Sequence, residues 1–413
     1  MRQLKMGVVG LGQGAAHALP AMHALPETLL VAGADPNERM RDGFVERFPG
    51  TRAYASITEL CKDPEVEAIW VASPNRYHCE QAVEAMRNGK HVLVEKPMAV
   101  TIEEADQMVD AALQYGAKLL AAHTSSYGVP IRAMRKIAQA ELGKVRSLLI
   151  WSYTDWMLRA RTSDELSLDA GSGIVHRQSP HQIDALRLLG GGKLRSVRGT
   201  TGQWMPERPI PGFYTAYMEF EDGTPATILH NGYGYFMHGE LFEGALDRWR
   251  YTPEDRLAIR KQMRGGARDE EREKEDYRIG GRNDPTKNTA DGGERPWGHP
   301  DVGMIVASCD RGDMRQSKYG VMVYGDEGRR DIDVRNVGRH DFDLEGGATV
   351  GALLEMYNAV VSGTPVFHSG AWGRATLEAT LAIVQSAKER REIMLERQVA
   401  MPAEYDADLL IGV

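Results

Sequence analysis

Apolar and polar residues alternate along the first third of the chain in the rhythm of strands separated by helices. Short runs that are apolar on both faces have the sequences LKMGVVG, LLVAGAD, AIWVAS, HVLVEK and AKLLAA. Burial on both faces is what a parallel sheet covered by helices requires. Capping boxes at Ser56–Glu59 and Thr101–Glu104, with Gly89 at a helix end, bound the intervening helices. The pattern predicts a doubly wound α/β domain that ends at about residue 124.

The pattern changes in the second part of the chain, where strand-like runs follow one another without helices between them. They come after a predicted helix near 130–140 and lie at 144–156, 194–204, 214–221 and 225–234. Consecutive strands predict an open, mostly antiparallel sheet, and therefore an α/β plus α+β chain. Residues 254–296 are strongly charged and Gly-rich, which is typical of a solvated insertion or partly ordered loop. The strand YGVMVYG and two amphipathic helices, at about 349–362 and 372–391, complete the pattern.

Length and charge narrow the class of protein. The chain has 413 residues, a formal net charge of −8 and a pI of about 5.9. This length predicts two domains, at 1–124 and 125–413, the second containing a charged insertion near 240–315. The acidic balance argues against nucleic acid or an anionic membrane as a partner, and it still allows a small anion in a local pocket.

Cysteine usage and hydropathy indicate the compartment. Cys61, Cys79 and Cys309 are odd in number and far apart, which argues against a disulfide framework or a thiolate zinc site. No run approaches the roughly 18 apolar residues of a membrane span. The N-terminus lacks the apolar core of a signal peptide, so we expect a cytoplasmic protein.

A glycine-rich turn, Gly10-Leu-Gly12-Gln13-Gly14-Ala15, directly follows the first strand and precedes a helical pattern. Gly10 permits a tight turn, and Gly12 lets the backbone approach a pyrophosphate at the helix N-terminus. A small residue at position 15 lets helix and strand pack closely. The order of strand, turn and helix favours a dinucleotide-binding, Rossmann-type domain over a purely structural turn. Within that helix Pro20 predicts a kink or an early end.

Asp35 ends the second strand, LLVAGAD. A carboxylate there accepts hydrogen bonds from both adenosine ribose hydroxyls and repels a 2′-phosphate, which favours NAD over NADP. Asp35 can also cap the following helix, since Pro36 suits its first turn. Arg39 and Arg41 lie nearby and leave the exclusion of a phosphate open.

Two polar segments follow later strands, at the carboxyl ends where ligands bind in open α/β sheets. Ser73, Asn75 and His78 come after AIWVA, where they can line a ligand site or form a strand-to-helix turn with Asn75 and His78 as caps. The segment EKP at 95–97 follows HVLV. Desolvation lowers the pKa of a lysine, which suits Lys96 to proton transfer with a hydroxyl. Alternatively, Lys96 pairs with Glu95 at the rim.

Charged and titratable residues also occur in the segment IVHRQSPHQIDALRLLG, at 174–190. Arginine keeps its proton near neutral pH, so Arg177 needs an anionic partner wherever it is buried. We expect no metal at His176 and His181, because their spacing of five does not stack two ligands on one helical face.

These segments together identify a family. The glycine turn, ASPNRYHCEQAVEAMRNGKHVLVEKPMA, DAGSGIVHRQSPHQIDALRLLGG and SGTPVFHSGAWGRATLEATLAIVQSA resemble the Gfo/Idh/MocA oxidoreductases over nearly the whole chain outside the charged insertion. The resemblance implies a nicotinamide-binding Rossmann domain, then a substrate domain on an open, mostly antiparallel sheet. The nicotinamide-binding domain implies NAD as cofactor. Because the open sheet commonly serves as an oligomer interface in this family, we also expect a homo-oligomer, a dimer or tetramer.

The resemblance also implies roles for single residues. Lys96 matches the family's active-site lysine, which contacts the nicotinamide ribose and the reacting hydroxyl. His181 matches the histidine of the D-x-G-x-H-x-x-D segment, often the proton acceptor, and Asp184 matches its final acid. Asn75 and His78 match cofactor-lining positions. The predicted cofactor-binding residues are Gly10, Gly12, Gln13, Gly14, Asp35, Ser73, Asn75, His78, Glu95 and Lys96.

The chain departs from this pattern at Arg177, where polyol and sugar dehydrogenases of the family carry the first aspartate of that segment. The change reverses the local charge, and a guanidinium fork matches a carboxylate bidentately. An anionic substrate is therefore favoured over a sugar or inositol. The alternative is that Arg177 pairs within the chain with Asp169 or Asp184.

A subgroup of the family matches more closely. HRQSPHQIDALRLLGGG, the 254–296 insertion and ASCDRGDMRQSKYGVMVYGDEGRR resemble phthalate 4,5-cis-dihydrodiol dehydrogenases. This implies a cyclohexadiene cis-diol with two adjacent carboxylates, oxidised with NAD to 4,5-dihydroxyphthalate. Lys96 and His181 would be catalytic, with one of them accepting the hydroxyl proton. The predicted substrate-binding residues are Arg177, His176, Arg159 and Arg161, with Arg315 as a further candidate.

Two other functions stay open from the sequence. One is an NAD-dependent dehydrogenase of the same family that acts on a sugar, a sugar acid or an inositol-type polyol. The other is a non-catalytic dinucleotide-binding sensor, although retention of Lys96 and His181 argues against it.

Overall fold

A computed structural model of the chain describes residues 2–122, 124–168, 171–241, 251–282, 302–334 and 346–406. The chain divides into two compact units. The first contains residues 1–123, 270–293 and 349–377, and the second contains 124–269, 294–348 and 378–413. The chain passes from the first unit to the second after residue 123 and returns to the first unit twice.

The first unit is built on a twisted parallel sheet. Its described strands are β1 (Leu4–Val9), β2 (Thr28–Ala34), β3 (Arg52–Tyr54), β4 (Ala68–Val71), β5 (His91–Glu95) and β6 (Leu119–Ala122). Their spatial order is β3-β2-β1-β4-β5-β6, and every adjacent pair is parallel. This is the doubly wound order of dinucleotide-binding folds, with ligands expected where the strand order reverses, between β1 and β4.

Five α-helices alternate with the described strands of this sheet. They are α1 (Gln13–Ala24), α2 (Glu38–Arg47), α3 (Ile57–Cys61), α4 (His78–Arg87) and α5 (Ile102–Tyr115). Thr101 and Glu104 form a complete capping box, whereas at Ser56 only the side-chain half is present, because Glu59 accepts from Ala55 instead. Helix α1 continues past Pro20 to Ala24, so the proline does not end the helix.

The second unit contains the predicted open, mostly antiparallel sheet. Its described strands are β7 (Val145–Tyr153), β8 (Leu194–Gly202), β9 (Phe213–Phe220), β10 (Pro225–Asn231), β11 (Met304–Cys309), β12 (Gly312–Gln316), β13 (Gly320–Gly325), β14 (Gly328–Asp333) and β15 (Ile393–Met394). Their order is β14-β13-β12-β11-β7-β10-β9-β8-β15, and among these strands only β7 and β10 pair in parallel.

The two faces of this sheet differ in burial. Helices α6 (Val129–Ile137) and α7 (Gly173–Gly190) belong to the same unit, and α7 packs against β7, β9 and β10. On β7, Leu148 and Ile150 are buried while Leu149 between them is exposed. The opposite face, called the open face below, also carries exposed Tyr217 and Tyr324.

The charged insertion differs from the solvated loop expected from its composition. It begins with α8 (Pro253–Arg264) and α9 (Glu270–Asp276), and residues 283–296 lie outside the described residues. Ile259 and Met263 of α8 pack against Leu158, so the helix buries one face. The sequence pattern did not predict a packed helix here, because α8 has few apolar positions and the arginines of the same face are also buried.

The C-terminal helices are α10 (Gly346–Tyr357) and α11 (Gly370–Glu389). Between them the backbone runs beside β6, where Ala121 N donates to His368 O at 2.9 Å and covers that edge of the sheet. None of the described helices is both long and apolar enough to cross a membrane.

Candidate active site

The glycine turn forms the entrance to α1. Gly10 has φ of 85°, and a Cβ there would lie 2.5 Å from Ser73 N, so only glycine fits. Gly12 is the N-cap residue of α1, and a Cβ built on it would meet no atom of the described residues within 4 Å. The first backbone N–H groups of the helix therefore border open space without a side-chain cap. This is the arrangement that accepts a pyrophosphate, so the turn fits the predicted dinucleotide.

Asp35 links this turn to the next helix. Its carboxylate accepts hydrogen bonds from Leu11 N and Asn37 N, both at 2.9 Å. The side chain that caps α2 is Asn37, which accepts from Arg39 N, so the expected direct capping role of Asp35 is replaced by an indirect one. Arg41 donates to the carbonyl oxygens of Asp35 and Pro36. Of the two arginines that could attract a 2′-phosphate, Arg41 is thereby held on the backbone, whereas Arg39 is exposed.

We expect replacement of Asp35 by alanine to weaken the preference for NAD over NADP about tenfold or more, because a charge-assisted acceptor is lost. Asp35→Asn keeps an acceptor for Leu11 and removes the charge, which separates the two roles. The measurement is kcat/KM with each cofactor, with exposed Asp42→Asn on α2 as the matched control. An unchanged cofactor ratio in both Asp35 variants would assign Asp35 to the turn alone.

The segment after β4 is organised around His78. Its ring nitrogens lie 2.8 Å from Ser73 O and 2.9 Å from Pro97 O, and the side chain is fully buried. His78 thus links the loops after β4 and β5 through hydrogen bonds within the chain. Its full burial differs from the predicted cofactor-lining role. Asn75 begins a short 3₁₀ turn and is half-buried, and the capping role considered for it is also absent, since α4 has Tyr77 as N-cap without a side-chain bond.

Glu95 and Lys96 follow at the end of β5. The Glu95 carboxylate accepts from the Trp70 indole N–H at 3.2 Å and from the backbone N–H of Lys96 at 3.3 Å. Lys96 is half-buried, and its peptide bond with Pro97 is cis. The buried Trp70 ring and the His78 bond to Pro97 hold this segment from two sides. Lys96 is therefore presented from a fixed backbone at the carboxyl edge of the sheet.

In the second unit, α7 carries the predicted histidine and acid. Ser125 Oγ lies 2.9 Å from His181 Nδ1, and both side chains are buried. Three residues further along α7, the Asp184 carboxylate accepts from Ser126 N at 3.0 Å. Ser125 was not predicted from the sequence, although the pair of serines that begins three residues after the end of β6 was a usable signal. The two contacts fix His181 against the turn that contains Ser125.

The predicted arginines near the start of α7 form an arginine cluster, defined here as Arg159, Arg161 and Arg177 with Asp155 and Glu165. Arg161 lies 3.9 Å from the centre of the Trp156 ring and donates to Glu165 at 3.3 Å. Burial lowers the pKa of Arg161 to about 9, and Glu165 acts in the opposite direction, so the guanidinium stays charged at neutral pH. The Arg161 side chain is only 7% exposed, so it holds Glu165 in place within the cluster and does not make the predicted contact with substrate.

Arg177 and Arg159 are the accessible members of the cluster, with side chains 31% and 22% exposed. Arg177 Nη1 lies 3.7 Å from Glu165 Oε1, and Arg159 pairs with Asp155 at 2.9 Å. Glu165 replaces Asp184 as the acid near Arg177, and Asp169 lies outside the described residues. The Thr162-x-x-Glu165 capping pattern could have identified Glu165 as a fixed, inward-facing carboxylate. Among the described side chains of this cluster, three guanidinium groups lie close to two carboxylates.

Two further predicted anion-binding residues are placed differently by the structure. His176 is buried and its Nδ1 bonds Ser172 O at 2.9 Å. Burial lowers the pKa of His176, which makes the ring neutral near pH 7 and unsuited as a cation. Arg315 lies on β12 and bonds Tyr324 Oη on the open face, opposite the face on which α7 packs.

Comparison with known proteins identifies the class. Residues 4–123 match an oxidoreductase family with an NAD-binding Rossmann fold, and residues 131–240 match the GFO/IDH/MocA C-terminal domain. The chain therefore belongs to the Gfo/Idh/MocA family of oxidoreductases. Its N-terminal domain binds NAD, and the protein is an NAD-dependent dehydrogenase.

Individual relatives cover most of the chain. The 1-carboxy-3-chloro-3,4-dihydroxycyclohexa-1,5-diene dehydrogenase of Comamonas testosteroni is 29% identical over 391 residues, 93% of this chain and 95% of the relative. A crystal structure assigned to a dehydrogenase of Bordetella bronchiseptica RB50 is 30% identical, covers 95% of this chain and all of its own, and has a TM-score of 0.84. Levoglucosan dehydrogenase with NADH and levoglucosan shares the fold, with a TM-score of 0.73 at 17% identity, over 95% of this chain and 99% of its own.

Proposed function

We propose that this dehydrogenase oxidises a cyclic cis-dihydrodiol that carries carboxylates, with the 4,5-cis-dihydrodiol of phthalate as the specific substrate and 4,5-dihydroxyphthalate as product. The observation that carries the proposal is the arginine cluster. The partly exposed guanidiniums of Arg177 and Arg159 suit a carboxylate, because a planar guanidinium fork binds a carboxylate bidentately and a neutral sugar has no anionic group to offer it.

The name of one relative supports the oxidation of a diol on a cyclohexadiene ring. The dehydrogenase of Comamonas testosteroni is named for a dihydroxycyclohexadiene that bears one carboxylate. In the proposed substrate a second carboxylate is adjacent to the first. Arg177 would bind one of them bidentately, and Arg159, the next most exposed guanidinium, would face the other.

The chemistry assigned to the chain is proton transfer and orientation. NAD, which the glycine turn and Asp35 would hold, would supply the acceptor for the hydride of the carbinol carbon. Lys96 contacts the reacting hydroxyl, and either Lys96 or His181 accepts its proton as the C–O bond becomes a carbonyl. The resulting ketone tautomerises to the aromatic catechol, so the ring itself supplies driving force. The protein's part is to hold the two carboxylates so that one ring hydroxyl is presented in a single orientation.

The second candidate function is oxidation of a sugar acid or an inositol-type polyol. The 3.7 Å approach of Arg177 to Glu165 favours it, since Arg177 would then serve mainly the fold. Initial rates of NAD reduction, followed by absorbance, separate the two with a panel of the phthalate diol, myo-inositol, glucose and a sugar acid. The proposal predicts a rate confined to the ring diol, and a rate confined to a polyol or sugar acid would replace it by the alternative.

Ser125 is expected to orient His181. We expect Ser125→Ala to lower kcat about tenfold with little change in KM and to shift the pH–rate profile, because one hydrogen bond to the ring is lost. Ser125→Thr keeps a hydroxyl and should retain most of the rate. The matched control is Ser179→Ala, which removes another buried serine hydroxyl in this unit, bonded to Thr380. Equal effects of Ser125→Ala and Ser179→Ala on rate and pH profile would reduce Ser125 to a structural residue.

The open face supports a further proposal, a homo-oligomer. Leu149, Tyr217 and Tyr324 are 40%, 42% and 36% exposed on it, and large apolar side chains on a sheet face favour association. Light scattering after size exclusion should give a dimer or tetramer mass. Tyr217→Lys should shift that mass toward the monomer, and a monomeric wild-type chain would contradict the proposal.

A further inference from the structure

Helix α8 of the charged insertion presents arginines on one side. Arg256, Arg260 and Arg264 recur at intervals of four residues, which places them on a single face of a helix. Arg256 is neutralised by Glu240 at 2.9 Å. Arg260 is buried and donates to the carbonyl oxygens of Tyr233 and Gly234, which satisfy its hydrogen bonds without cancelling its charge. The C-terminal half of α8 therefore keeps a positive face.

Aromatic rings stand opposite this face. Trp204 stacks against the rings of both Phe213 and Tyr233, with centroid distances of 4.8 and 5.2 Å and interplanar angles of 26° and 22°. Tyr233 Oη accepts from the backbone N–H groups of Trp204 and Gly212, so the stack is fixed to the backbone. Tyr235 packs with its ring centre 3.9 Å from the Arg260 guanidinium. These contacts fix the positions of the aromatic rings.

A cavity of about 420 Å³ lies between these aromatic rings and α8. Its lining includes Trp204, Tyr233, Tyr235, Glu207, Arg260 and Arg264. Trp204 is 60% and Tyr235 71% exposed, so their rings are available to a ligand. The volume falls within the ordinary range of small-molecule sites, and a lining that combines aromatic and other apolar side chains with a few polar or charged groups is typical of them. None of its lining residues belongs to the arginine cluster around Arg177.

We propose that this pocket is a second binding site, separate from the arginine cluster, for a planar aromatic anion that carries one or two carboxylates. The ring would stack on Trp204 or Tyr235, and a carboxylate would reach Arg264 at the rim. Among the described residues that line the pocket, two arginines outnumber the one carboxylate, Glu207. Burial lowers the pKa of Arg260 below the usual arginine range, and the charges of Arg256 and Arg264 act in the same direction. An anion relieves that repulsion, and a saturated ring would lose the stacking.

The probe is phthalate (benzene-1,2-dicarboxylate), which is already aromatic and cannot be oxidised at a carbinol. Titration is followed by tryptophan fluorescence and by calorimetry in the full chain and in Arg177→Ala. We expect quenching in both, and binding of cyclohexane-1,2-dicarboxylate to be weaker by about tenfold or more. Arg264→Glu should weaken phthalate binding by at least about tenfold, because an attractive charge becomes repulsive. Lys261→Glu makes the same charge change on an exposed position of α8 outside the pocket and should have little effect.

Several results would overturn the second site. Phthalate binding that is lost in Arg177→Ala and unchanged in Arg264→Glu would place the probe in the arginine cluster alone. Quenching that persists in Trp204→Phe would place it away from this pocket. Turnover of the ring diol should be unaffected by Arg264→Glu, and a raised KM there would merge the pocket with the substrate site. If no diol is turned over while Arg264-dependent binding persists, the pocket stands and the proposed function fails.

Discussion

Replacing Lys96 by methionine is expected to lower kcat by about 10² to 10⁴-fold, the usual contribution of a group that transfers a proton in the transition state. Methionine keeps an unbranched side chain of similar length and removes the ammonium group. The backbone around position 96 is held by Glu95, Trp70 and His78, so the loss should come from chemistry and not from a displaced loop. Initial rates at saturating NAD and substrate measure the effect.

The same variant separates an enzyme from a sensor. NAD binding, measured by calorimetry, should persist in Lys96→Met with the loss of only the predicted contact to the nicotinamide ribose, because the glycine turn and Asp35 are untouched. Lys62→Met, at an exposed position of the same unit, is the matched control and should keep the full rate. If kcat in Lys96→Met stays within a few-fold of wild type, the assignment of Lys96 to the reacting hydroxyl fails.

The second large effect is expected at Arg177. Arg177→Ala should raise KM for the dicarboxylate diol at least about tenfold, since a hydrogen bond between charged groups contributes roughly 1.5–3 kcal/mol. KM for a cis-diol without carboxylates should change little. Glu165 would keep Arg161 as a partner in this variant, so the fold near α7 should persist.

Arg177→Lys and Arg195→Ala complete this comparison. Lysine keeps the charge and loses the planar fork, so an intermediate KM is expected. Arg195 is an exposed arginine of the same unit, paired with Glu219 on the sheet, and its replacement should leave KM unchanged. Equal effects of Arg177→Ala on charged and uncharged diols would leave Arg177 as a partner of Glu165 only.

Local patterns predicted the scaffold well, for a physical reason. The order of apolar runs, helix caps and the Gly10–Gly14 turn specifies a doubly wound sheet through interactions between near neighbours in sequence. The open sheet of the second unit followed from consecutive strand-like runs in the same way. The position of Asp35 at the end of β2 came with this order, because a strand end in this fold fixes where its last side chain lies.

The chemistry around α7 depended on contacts between distant segments, and there prediction was partial. Ser125 and His181 are 56 positions apart, and no spacing rule joins them. His78 was expected to line the cofactor because its motif matched, yet it is fully buried and bonded to the carbonyl oxygens of Ser73 and Pro97. Polar composition concealed α8, because a helix face that buries arginines on carbonyl oxygens carries little apolar signal.

The most direct test of the proposed function compares kcat/KM for three cis-dihydrodiols that differ only in carboxylates: the phthalate diol, a monocarboxylated ring and an uncharged ring. Reduced nicotinamide and the aromatic product are measured together. We expect equimolar formation of both, with kcat/KM falling in that order by about tenfold per carboxylate removed. Equal kcat/KM for all three diols, or turnover of a polyol alone, would contradict the proposed function.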